Sequence, residues 1–217
     1  MTPLVPREFY EAQYHFDEDV ERPNLRRLWR ALRALEPLTG ASFLDLGSGV
    51  GWGALLALTR GGARTATGLD FSRRALALAA HRHTPGASWV QGDGTALPFR
   101  DRAFDRVFSF GSIEHFPDLR RGFDEAFRVL RPRGVAVIVV PNFYVRTQQP
   151  LEFRATRRGW ERVIRAAGFD VVRVGTDAGP AIFKNYRPAR ILLRVLLRLA
   201  SLLPPLRYQF VFVLRKP

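Results

Sequence analysis

Short apolar runs alternate with segments of helical periodicity through most of the chain. Strands are predicted at Ser42–Leu46, Thr65–Leu69, Ser88–Gln91, Phe104–Phe110 and Val135–Val140, and helices at Asn24–Leu35, Trp52–Arg60, Ser72–His81 and Leu119–Leu130. A further helix at Thr156–Ala167 and strands at Phe169–Val174 and Tyr208–Leu214 are predicted in the last third. Every residue of Val135–Val140 is apolar, which is typical of a strand covered on both faces. This alternation predicts an α/β fold with a doubly wound sheet.

The amino-acid composition adds two observations to the predicted fold: the chain has no cysteine, and it is strongly basic. The 217 residues include no cysteine, which excludes disulfides, thiolate metal sites and a cysteine nucleophile. The formal net charge is +14, and residues 151–217 carry 14 basic but only 4 acidic side chains. A basic excess of this size indicates an anionic partner, either nucleic acid or a membrane surface, or reflects a GC-biased genome. Its concentration in the last third argues against genome bias alone.

A glycine-rich segment, residues 43–53, connects the first predicted strand to the next helix. Its alternating glycines allow a tight turn and a close approach of a ligand to the backbone. Asp45 lies just before the first glycine, where its carboxylate would repel a diphosphate and attract an amino group. Asp70 ends the second strand, a position from which a carboxylate binds ribose hydroxyls. The loop also fits a loose dinucleotide-binding pattern, so a dehydrogenase stays an alternative at this point.

Six segments, in this order along the chain, resemble the motifs of class I S-adenosylmethionine-dependent methyltransferases. They are Leu44–Gly51, Thr67–Ser72, Gln91–Phe99, Phe104–Phe110, Glu114–His115 and Arg128–Gly134. The first three are similar to the glycine loop, the acidic motif and the adenine-binding segment of that family. The resemblance covers roughly residues 40–141 and continues more loosely to the last strand. It implies a Rossmann-like, mostly parallel seven-stranded sheet with an antiparallel last strand.

The resemblance also implies which residues hold the cofactor, S-adenosyl-L-methionine. Asp45 and the glycines after it would hold the methionine moiety and its amino group. Asp70 would bind the ribose hydroxyls, Phe71 would flank the adenine, and Asp93 would accept a hydrogen bond from the exocyclic amine. The full predicted cofactor-binding set is Asp45, Gly47, Ser48, Gly49, Gly51, Asp70, Phe71, Gly92, Asp93, Gly94 and Thr95.

Methyl transfer is predicted at Glu114 and His115, which follow the fourth strand at the ligand-binding edge of the sheet. The pair resembles the Glu-His pair of quinone-biosynthesis O-methyltransferases. His115 would remove the proton of an acceptor hydroxyl, or would only bind the cofactor or cap the loop. Glu114 would assist, or would only fix the loop. No metal is predicted, because Gly111 stands where some of those enzymes carry a further glutamate used with a metal.

A basic, leucine-rich segment, residues 187–203, is predicted to form an amphipathic helix. Arg187, Arg190, Arg194 and Arg198 fall on one stripe of that helix. Such a helix either lies on an anionic membrane surface, or packs on its own sheet as a lid or in a homodimer. Nucleic acid is the least favoured partner, because the arginines alternate with aliphatic rather than aromatic residues and no RNA-binding module is recognisable.

The chain is interpreted as one methyltransferase domain, residues 1–217. Residues 1–39 would form a helical leader, residues 40–141 the cofactor-binding core, and residues 142–217 an acceptor-side region. The sequence shows neither a signal peptide nor an apolar stretch of the ~20 residues that a membrane span needs, which indicates a cytoplasmic protein.

The predicted function is transfer of a methyl group from S-adenosyl-L-methionine to a small or lipid-like acceptor, with a hydroxyl as the favoured acceptor group. Phe143 and Tyr144, after the fifth strand, would form apolar walls of the acceptor pocket. One alternative is an RNA methyltransferase that uses the basic tail as an electrostatic track. The other is a non-catalytic, membrane-associated protein that only binds the cofactor.

Overall fold

A computed structural model describes residues 25–82, 84–143, 152–177 and 209–217. The strands are β1 Ser42–Leu46, β2 Thr65–Asp70, β3 Ala87–Gln91, β4 Phe104–Phe110, β5 Leu130–Pro141, β6 Asp170–Asp177 and β7 Gln209–Arg215. The α-helices are α1 Leu25–Leu32, α2 Trp52–Thr59, α3 Arg73–Ala80, α4 Leu119–Val129 and α5 Arg157–Ala166, with 3-10 helices at Arg33–Leu35 and Ile113–His115. Each strand and helix predicted within the described ranges is present, with bounds that differ by a few residues.

The strands of the described part form one seven-stranded mixed sheet in the order β3-β2-β1-β4-β5-β7-β6. β1 to β5 pair in parallel, so that Leu44 of β1 lies opposite Thr67 of β2 and Val107 of β4. β7 lies antiparallel between β5 and β6, and its first residue, Gln209, lies opposite the last residue of each. The predicted doubly wound sheet with an antiparallel last strand is therefore confirmed. The carboxyl ends of the parallel strands and the start of β7 meet at one edge.

Apolar side chains cover both faces of the sheet. β5 contributes Ile138 and Val140 to one core cluster and Val137 and Val139 to the other, so the strand is buried on both faces, as predicted. α4 and α5 cover the first face, where the buried Trp160 donates a hydrogen bond to the carbonyl of Pro141 at 2.9 Å. α1 and α2 cover the second face. The carboxyl-end edge of the sheet is therefore supported by apolar packing on both faces.

Side-chain caps begin two helices that border this edge. Ser72 Oγ accepts a hydrogen bond from the Ala75 N–H at 3.1 Å at the start of α3. An Asp118 carboxylate oxygen accepts one from the Arg121 N–H at 2.9 Å at the start of α4. Each cap satisfies an N–H that has no partner within its helix. The capping residues Ser72 and Asp118, which end the preceding loops, are thereby held against the first turns of the helices.

β5 begins earlier than the sequence predicts. Leu130 was assigned to the preceding helix, but it pairs with Phe104 of β4 and starts the strand. α4 ends at Val129, and Lys216 Nζ donates hydrogen bonds to the carbonyls of Phe127, at 2.7 Å, and of Leu130, at 2.9 Å. Leu130 already has an extended backbone (φ −76°, ψ 138°), and Lys216 supplies partners for carbonyls that the end of the helix leaves free.

The predicted leader up to Asn24, the pocket residue Tyr144 and the basic segment 187–203 lie outside the described residues, so their roles stay predictions. The same holds for the division of the chain into leader, core and acceptor-side region. Within the described ranges, no helix has the length and apolar character needed to cross a membrane.

Candidate functional site

The glycine loop after β1 approaches its neighbours so closely that three of its glycines exclude a side chain; at Gly51 a Cβ would lie 2.3 Å from the ring of Trp89. Gly47 has a φ of +74°, and a Cβ there would lie 2.3 Å from Ser112 Cβ. A Cβ at Gly53, in the first turn of α2, would lie 2.3 Å from Asp45 Oδ2. The backbone of the loop therefore lies directly against these three neighbouring side chains, and α2 begins at the same edge of the sheet.

Asp45 is enclosed by this loop. The residue is 3% exposed, and its Oδ2 accepts a hydrogen bond from the Ala54 N–H at 2.9 Å. Burial raises the pKa of Asp45 to about 7; the Ala54 N–H lowers it only in part, and the charge of Asp70 raises it further. A cation bound beside Asp45 would offset the cost of holding this carboxylate away from water.

Asp70 connects the loop to the end of β2. Its Oδ2 accepts a hydrogen bond from the Gly49 N–H at 2.7 Å, and its Oδ1 accepts one from the Ser72 N–H at 2.9 Å. The next residue, Phe71, is 42% exposed. The structure therefore places a carboxylate and an aromatic ring side by side at the edge that the glycine loop occupies.

The rest of the loop is fixed by backbone contacts. The N–H groups of Gly47 and Ser48 both donate to the carbonyl of Leu69, at 2.8 and 2.9 Å. Gly51, with a φ of +85°, caps the start of α2. Ser48 Oγ is buried and has no hydrogen-bond partner among the described residues. A buried hydroxyl without a partner is unusual in a folded protein, and a bound ligand could supply the missing contact.

The turn after β3 brings the second group of predicted cofactor residues to Asp70. The Gly92 N–H donates to the Asp70 carbonyl at 3.1 Å. Asp93 Oδ1 accepts hydrogen bonds from the N–H and the hydroxyl of Thr95, each at 2.8 Å, and Gly94 lies between the two. One carboxylate oxygen of Asp93 thus holds the turn. All eleven predicted cofactor residues lie on these three adjoining segments.

The loop after β4 carries the predicted transfer pair. Ser112 Oγ donates to the Gly47 carbonyl at 2.9 Å and so joins this loop to the glycine loop. Glu114 and His115 follow in a short 3-10 helix; Glu114 is 2% exposed, and its Oε2 has no hydrogen-bond partner among the described residues. Burial raises the pKa of Glu114 to about 8; backbone N–H groups lower it only in part, and the charge of Glu152 raises it.

Glu152 lies beside this pair, although it belongs to none of the sequence motifs. Ligand atoms of Glu114, His115 and Glu152 lie within 4.8 Å of one another. One imidazole nitrogen and two carboxylate oxygens form a donor set that divalent cations accept. The Phe153 N–H donates to the Glu114 carbonyl at 2.9 Å and holds the two segments together. The sequence prediction of no metal rested on Gly111 and did not consider this third ligand, because it comes from a distant segment.

A second polar group that the sequence analysis missed lies where β6 ends and β7 begins. Arg27 Nε donates to Asp177 Oδ2 at 2.7 Å, and Arg27 Nη2 donates to the same oxygen and to Gln209 Oε1, the latter at 3.0 Å. The guanidinium lies over the ring of Phe110, 5.5 Å from its centroid. α1, β6 and β7 thus meet beside the carboxyl end of β4. No spacing in the sequence links these residues.

Phe143, a predicted wall of the acceptor pocket, follows the end of β5. Its N–H donates to the Ala155 carbonyl at 3.1 Å, and the residue is 55% exposed. Its backbone is therefore fixed while its ring is accessible, and its contact with an acceptor stays a prediction.

Comparison with known proteins agrees with this geometry. Residues 44–138 match a protein family described as "Methyltransferase domain". The chain is 40% identical over 99 residues to 2-methyl-6-phytyl-1,4-hydroquinone methyltransferase 2 of Oryza sativa subsp. japonica, a match that covers 45% of this chain and 28% of that protein. It is 35% identical over 136 residues to a ubiquinone/menaquinone biosynthesis C-methyltransferase of Roseobacter denitrificans, covering 59% of this chain and 54% of that protein. The chain thus spans between about a quarter and about half of these relatives.

A solved structure shares the fold across nearly the whole chain. It is phosphoethanolamine N-methyltransferase 2 of Haemonchus contortus in complex with S-adenosyl-L-methionine, with a TM-score of 0.76, 18% identity, and coverage of 98% of this chain and 60% of that chain. The family match runs from β1 into β5 and includes the glycine loop, Asp45, Asp70 and the Glu114–His115 pair. Residues 44–138 therefore match a methyltransferase domain, and the chain has the fold of the class I S-adenosylmethionine-dependent methyltransferases.

Proposed function

We propose that this chain transfers the methyl group of S-adenosyl-L-methionine to a small or lipid-like acceptor. The observation that carries the proposal is the pair of buried carboxylates, Asp45 and Asp70, at the glycine loop. A diphosphate at this edge would meet two carboxyl groups that become more costly to ionise beside it, whereas the ammonium and sulfonium groups of S-adenosyl-L-methionine are cations that favour the ionised carboxylates. The charge at the loop therefore favours this cofactor over a dinucleotide and disfavours a dehydrogenase.

In this proposal each residue of the site binds a different part of the cofactor. Asp45 binds the ammonium group of the methionine moiety together with the loop backbone. Asp70, whose two oxygens accept the N–H groups of Gly49 and Ser72, binds the ribose hydroxyls. The exposed ring of Phe71 flanks the adenine, and Asp93 accepts a hydrogen bond from its exocyclic amine. Ser48 Oγ supplies a further polar contact.

The proposed acceptor group is a hydroxyl. The half-buried His115 removes the hydroxyl proton, the oxygen forms a bond to the methyl carbon, and the carbon–sulfur bond breaks to leave neutral S-adenosylhomocysteine. Because the sulfonium is already an activated leaving group, alignment of the two reactants accounts for most of the acceleration. The buried Glu114 is the second candidate for accepting the proton, at a pH above its raised pKa. The reaction is proposed to proceed without a metal.

Methyl transfer to a ring carbon of a hydroquinone is the second candidate, because the Roseobacter denitrificans relative is named a C-methyltransferase. The Oryza sativa relative is named for a hydroquinone with a phytyl side chain, which supports an acceptor that combines a hydroxylated ring with an apolar chain. Product analysis separates the candidates, because one product is a methyl ether and the other carries a new methyl group on the ring.

The test measures binding and turnover separately. Titration with S-adenosylhomocysteine is expected to show saturable binding that Asp70→Asn weakens at least about tenfold, since a hydrogen bond to a charged group contributes about 1.5–3 kcal/mol. The matched control is Asp124→Asn, which removes an exposed carboxylate from α4 and is expected to change nothing. Saturable NAD binding without binding of S-adenosylhomocysteine would refute the proposal.

Turnover with a decyl-substituted hydroquinone then decides between enzyme and binding protein. Formation of S-adenosylhomocysteine and a methylated product supports the proposal. Cofactor binding without transfer to any acceptor would indicate a non-catalytic protein. Steeply salt-dependent binding to RNA, with transfer to RNA alone, would favour the RNA methyltransferase instead.

We propose a cytoplasmic setting in which residues 187–203 meet an anionic membrane that holds the lipid-like acceptor. Cosedimentation with vesicles that contain anionic lipid tests this role, with neutral vesicles as the control. Replacing the four arginines of the predicted stripe by glutamine is expected to abolish cosedimentation. A homodimer that forms through the same segment, and that these replacements leave intact, would favour the alternative role.

A further inference from the structure

The side-chain amide of Gln209 has a fixed orientation. Gln209 begins β7 and is 7% exposed, and its Oε1 accepts a hydrogen bond from Arg27 Nη2 at 3.0 Å. A guanidinium can only donate, so the amide oxygen must face Arg27 and the amide NH2 must face away from it. Arg27 is itself held by Asp177 and by the ring of Phe110. The orientation of the amide therefore follows from chemistry and does not depend on how its two ends are assigned.

The amide NH2 of Gln209 faces a space beside Gly111. A Cβ placed on Gly111 would lie 3.9 Å from Gln209 Nε2 and 3.8 Å from Glu114 Oε1. Apart from Gly111 and its chain neighbours, no other described atom lies within 4 Å of that point. The part of the chain that the structure describes offers this NH2 no hydrogen-bond partner. A donor and an acceptor thus border the same small space.

The Glu114 carboxyl also lacks a contact that a ligand could supply. Its Oε2 has no partner among the described residues, although Glu114 is 2% exposed. A buried polar atom without a partner costs about 1–3 kcal/mol. The oxygen that borders the space beside Gly111 is Oε1, so the space lies against a carboxyl group whose hydrogen bonding is incomplete at its other oxygen. This observation is independent of the orientation of Gln209.

The space adjoins the cofactor loop. Gly111 has a φ of +68° and precedes Ser112, whose Oγ donates to the Gly47 carbonyl at 2.9 Å. A ligand group beside Gly111 would therefore lie next to Ser112, the residue whose side chain joins the loop after β4 to the glycine loop. A group that reaches this space from the acceptor side is close to the proposed position of the cofactor.

A hydroxyl is the group whose chemistry fits both neighbours. Its oxygen accepts a hydrogen bond from an amide NH2, and its proton is donated to a carboxyl oxygen. An ether or ketone oxygen could accept from the amide but could not donate a proton to an ionised Glu114 carboxylate. We propose that Gln209 and Glu114 form a binding subsite for a hydroxyl of the acceptor, and that Arg27 and Asp177 act as positioning residues for Gln209. The identity of the ligand as methyl acceptor rests on the proposed function; the subsite itself does not.

The test uses the full chain and two probes, decylhydroquinone under reducing conditions and its dimethyl ether. Calorimetry at pH 9 is expected to show that the hydroquinone binds at least about fivefold more tightly than the ether, which cannot donate to an ionised Glu114. Gln209→Leu is expected to weaken hydroquinone binding about five- to tenfold and to leave the affinity for S-adenosylhomocysteine within about twofold. Asp170→Asn, at the opposite end of β6, is the matched control and is expected to change neither.

A positioning role for Arg27 has its own readout. Arg27→Met is expected to weaken hydroquinone binding, and Arg27→Lys, which retains a donor, to recover most of the loss. A purely structural role would instead lower the thermal midpoint equally in both variants without separating the two probes.

Equal affinity of the wild-type protein for the two probes, or undiminished hydroquinone binding by a folded Gln209→Leu variant, would overturn the subsite. The comparison of probes on the wild-type protein decides the matter even where a variant fails to fold. Hydroquinone binding that follows the expected pattern without any methyl transfer would overturn the proposed function and leave the subsite intact. Methyl transfer to decylhydroquinone by a protein that binds the two probes equally would do the reverse.

Discussion

Replacing Asp45 by asparagine is expected to stabilise the cofactor-free protein at alkaline pH while weakening cofactor binding. Burial raises the pKa of Asp45 from 3.8 to about 7, so the folded protein holds a proton that the unfolded chain has released. Between these two values the folded state binds more protons than the unfolded state, and the free energy of unfolding falls as pH rises. A difference of about three pK units corresponds to about 4 kcal/mol, fully developed above the folded pKa.

Asparagine avoids this cost, because it carries no charge and its side-chain oxygen can still accept the hydrogen bond from the Ala54 N–H. Urea unfolding of wild type and Asp45→Asn at pH 4, 6 and 8 is the measurement. The variant is expected to exceed the wild type by only about 0.6 kcal/mol at pH 4, where Asp45 is protonated in the folded state and only partly ionised in the unfolded chain. It is expected to exceed the wild type by up to about 4 kcal/mol at pH 8.

Asp105→Asn is the matched control with the opposite sign. Burial acts to raise the pKa of Asp105, but hydrogen bonds from Ser42 and Arg131 outweigh it and bring the value to about 2. That carboxylate therefore stabilises the folded protein above its unfolded pKa, and its loss should destabilise the protein at pH 6 and 8 alike. A stability difference for Asp45→Asn that stays constant between pH 4 and pH 8 would refute the argument from burial.

Cofactor binding provides a second test of the raised pKa of Asp45, through the proton that binding releases. An ammonium group beside Asp45 favours the charged form, so binding of S-adenosylhomocysteine at pH 6 is expected to release a proton. Calorimetry in buffers of different ionisation enthalpy measures this release directly. Asp45→Asn is expected to abolish the release and to weaken binding about 10- to 100-fold, because a charge-assisted hydrogen bond contributes about 1.5–3 kcal/mol.

Three further changes test separate parts of the molecule. Gly53→Ala places a Cβ 2.3 Å from the Asp45 carboxylate and is expected to cost about 1–3 kcal/mol in urea unfolding, whereas Gly175→Ala, with contacts no closer than 3.8 Å, should be tolerated. Arg128→Met breaks ion pairs with Glu125 and Asp101 and two hydrogen bonds to carbonyls, and should cost about 2–4 kcal/mol; a loss below about 1 kcal/mol would contradict the importance of this network. Treatment with EDTA should leave methyl transfer unchanged, and activity that needs a divalent cation and disappears in Glu152→Gln would show instead that the Glu114–His115–Glu152 group holds a metal.

The cofactor side of the site could be predicted because its residues lie in short segments with fixed local geometry. Asp45 and Asp70 each end a strand, and parallel strands bring their ends to one edge whatever their separation along the chain. The residues on the acceptor side could not be predicted in this way. Glu152, Arg27 and Gln209 come from three segments far apart in sequence, and only the packing of a helix and two antiparallel strands brings them to the β4 loop. Spacing and periodicity carry no information about such contacts.

The insertion of β7 between β5 and β6 has a consequence for the order in which the protein assembles. β6 has no backbone pairing with β5; its pairing within the described sheet is with β7, which follows it by more than thirty residues. β6 can therefore join the sheet as a paired strand only after residues 209–215 have docked along β5. Closing such a long connection before any pairing is gained slows folding. The pairings among β1 to β5 do not involve β7, so the proposed hydroxyl subsite, which needs Gln209, is expected to be completed last.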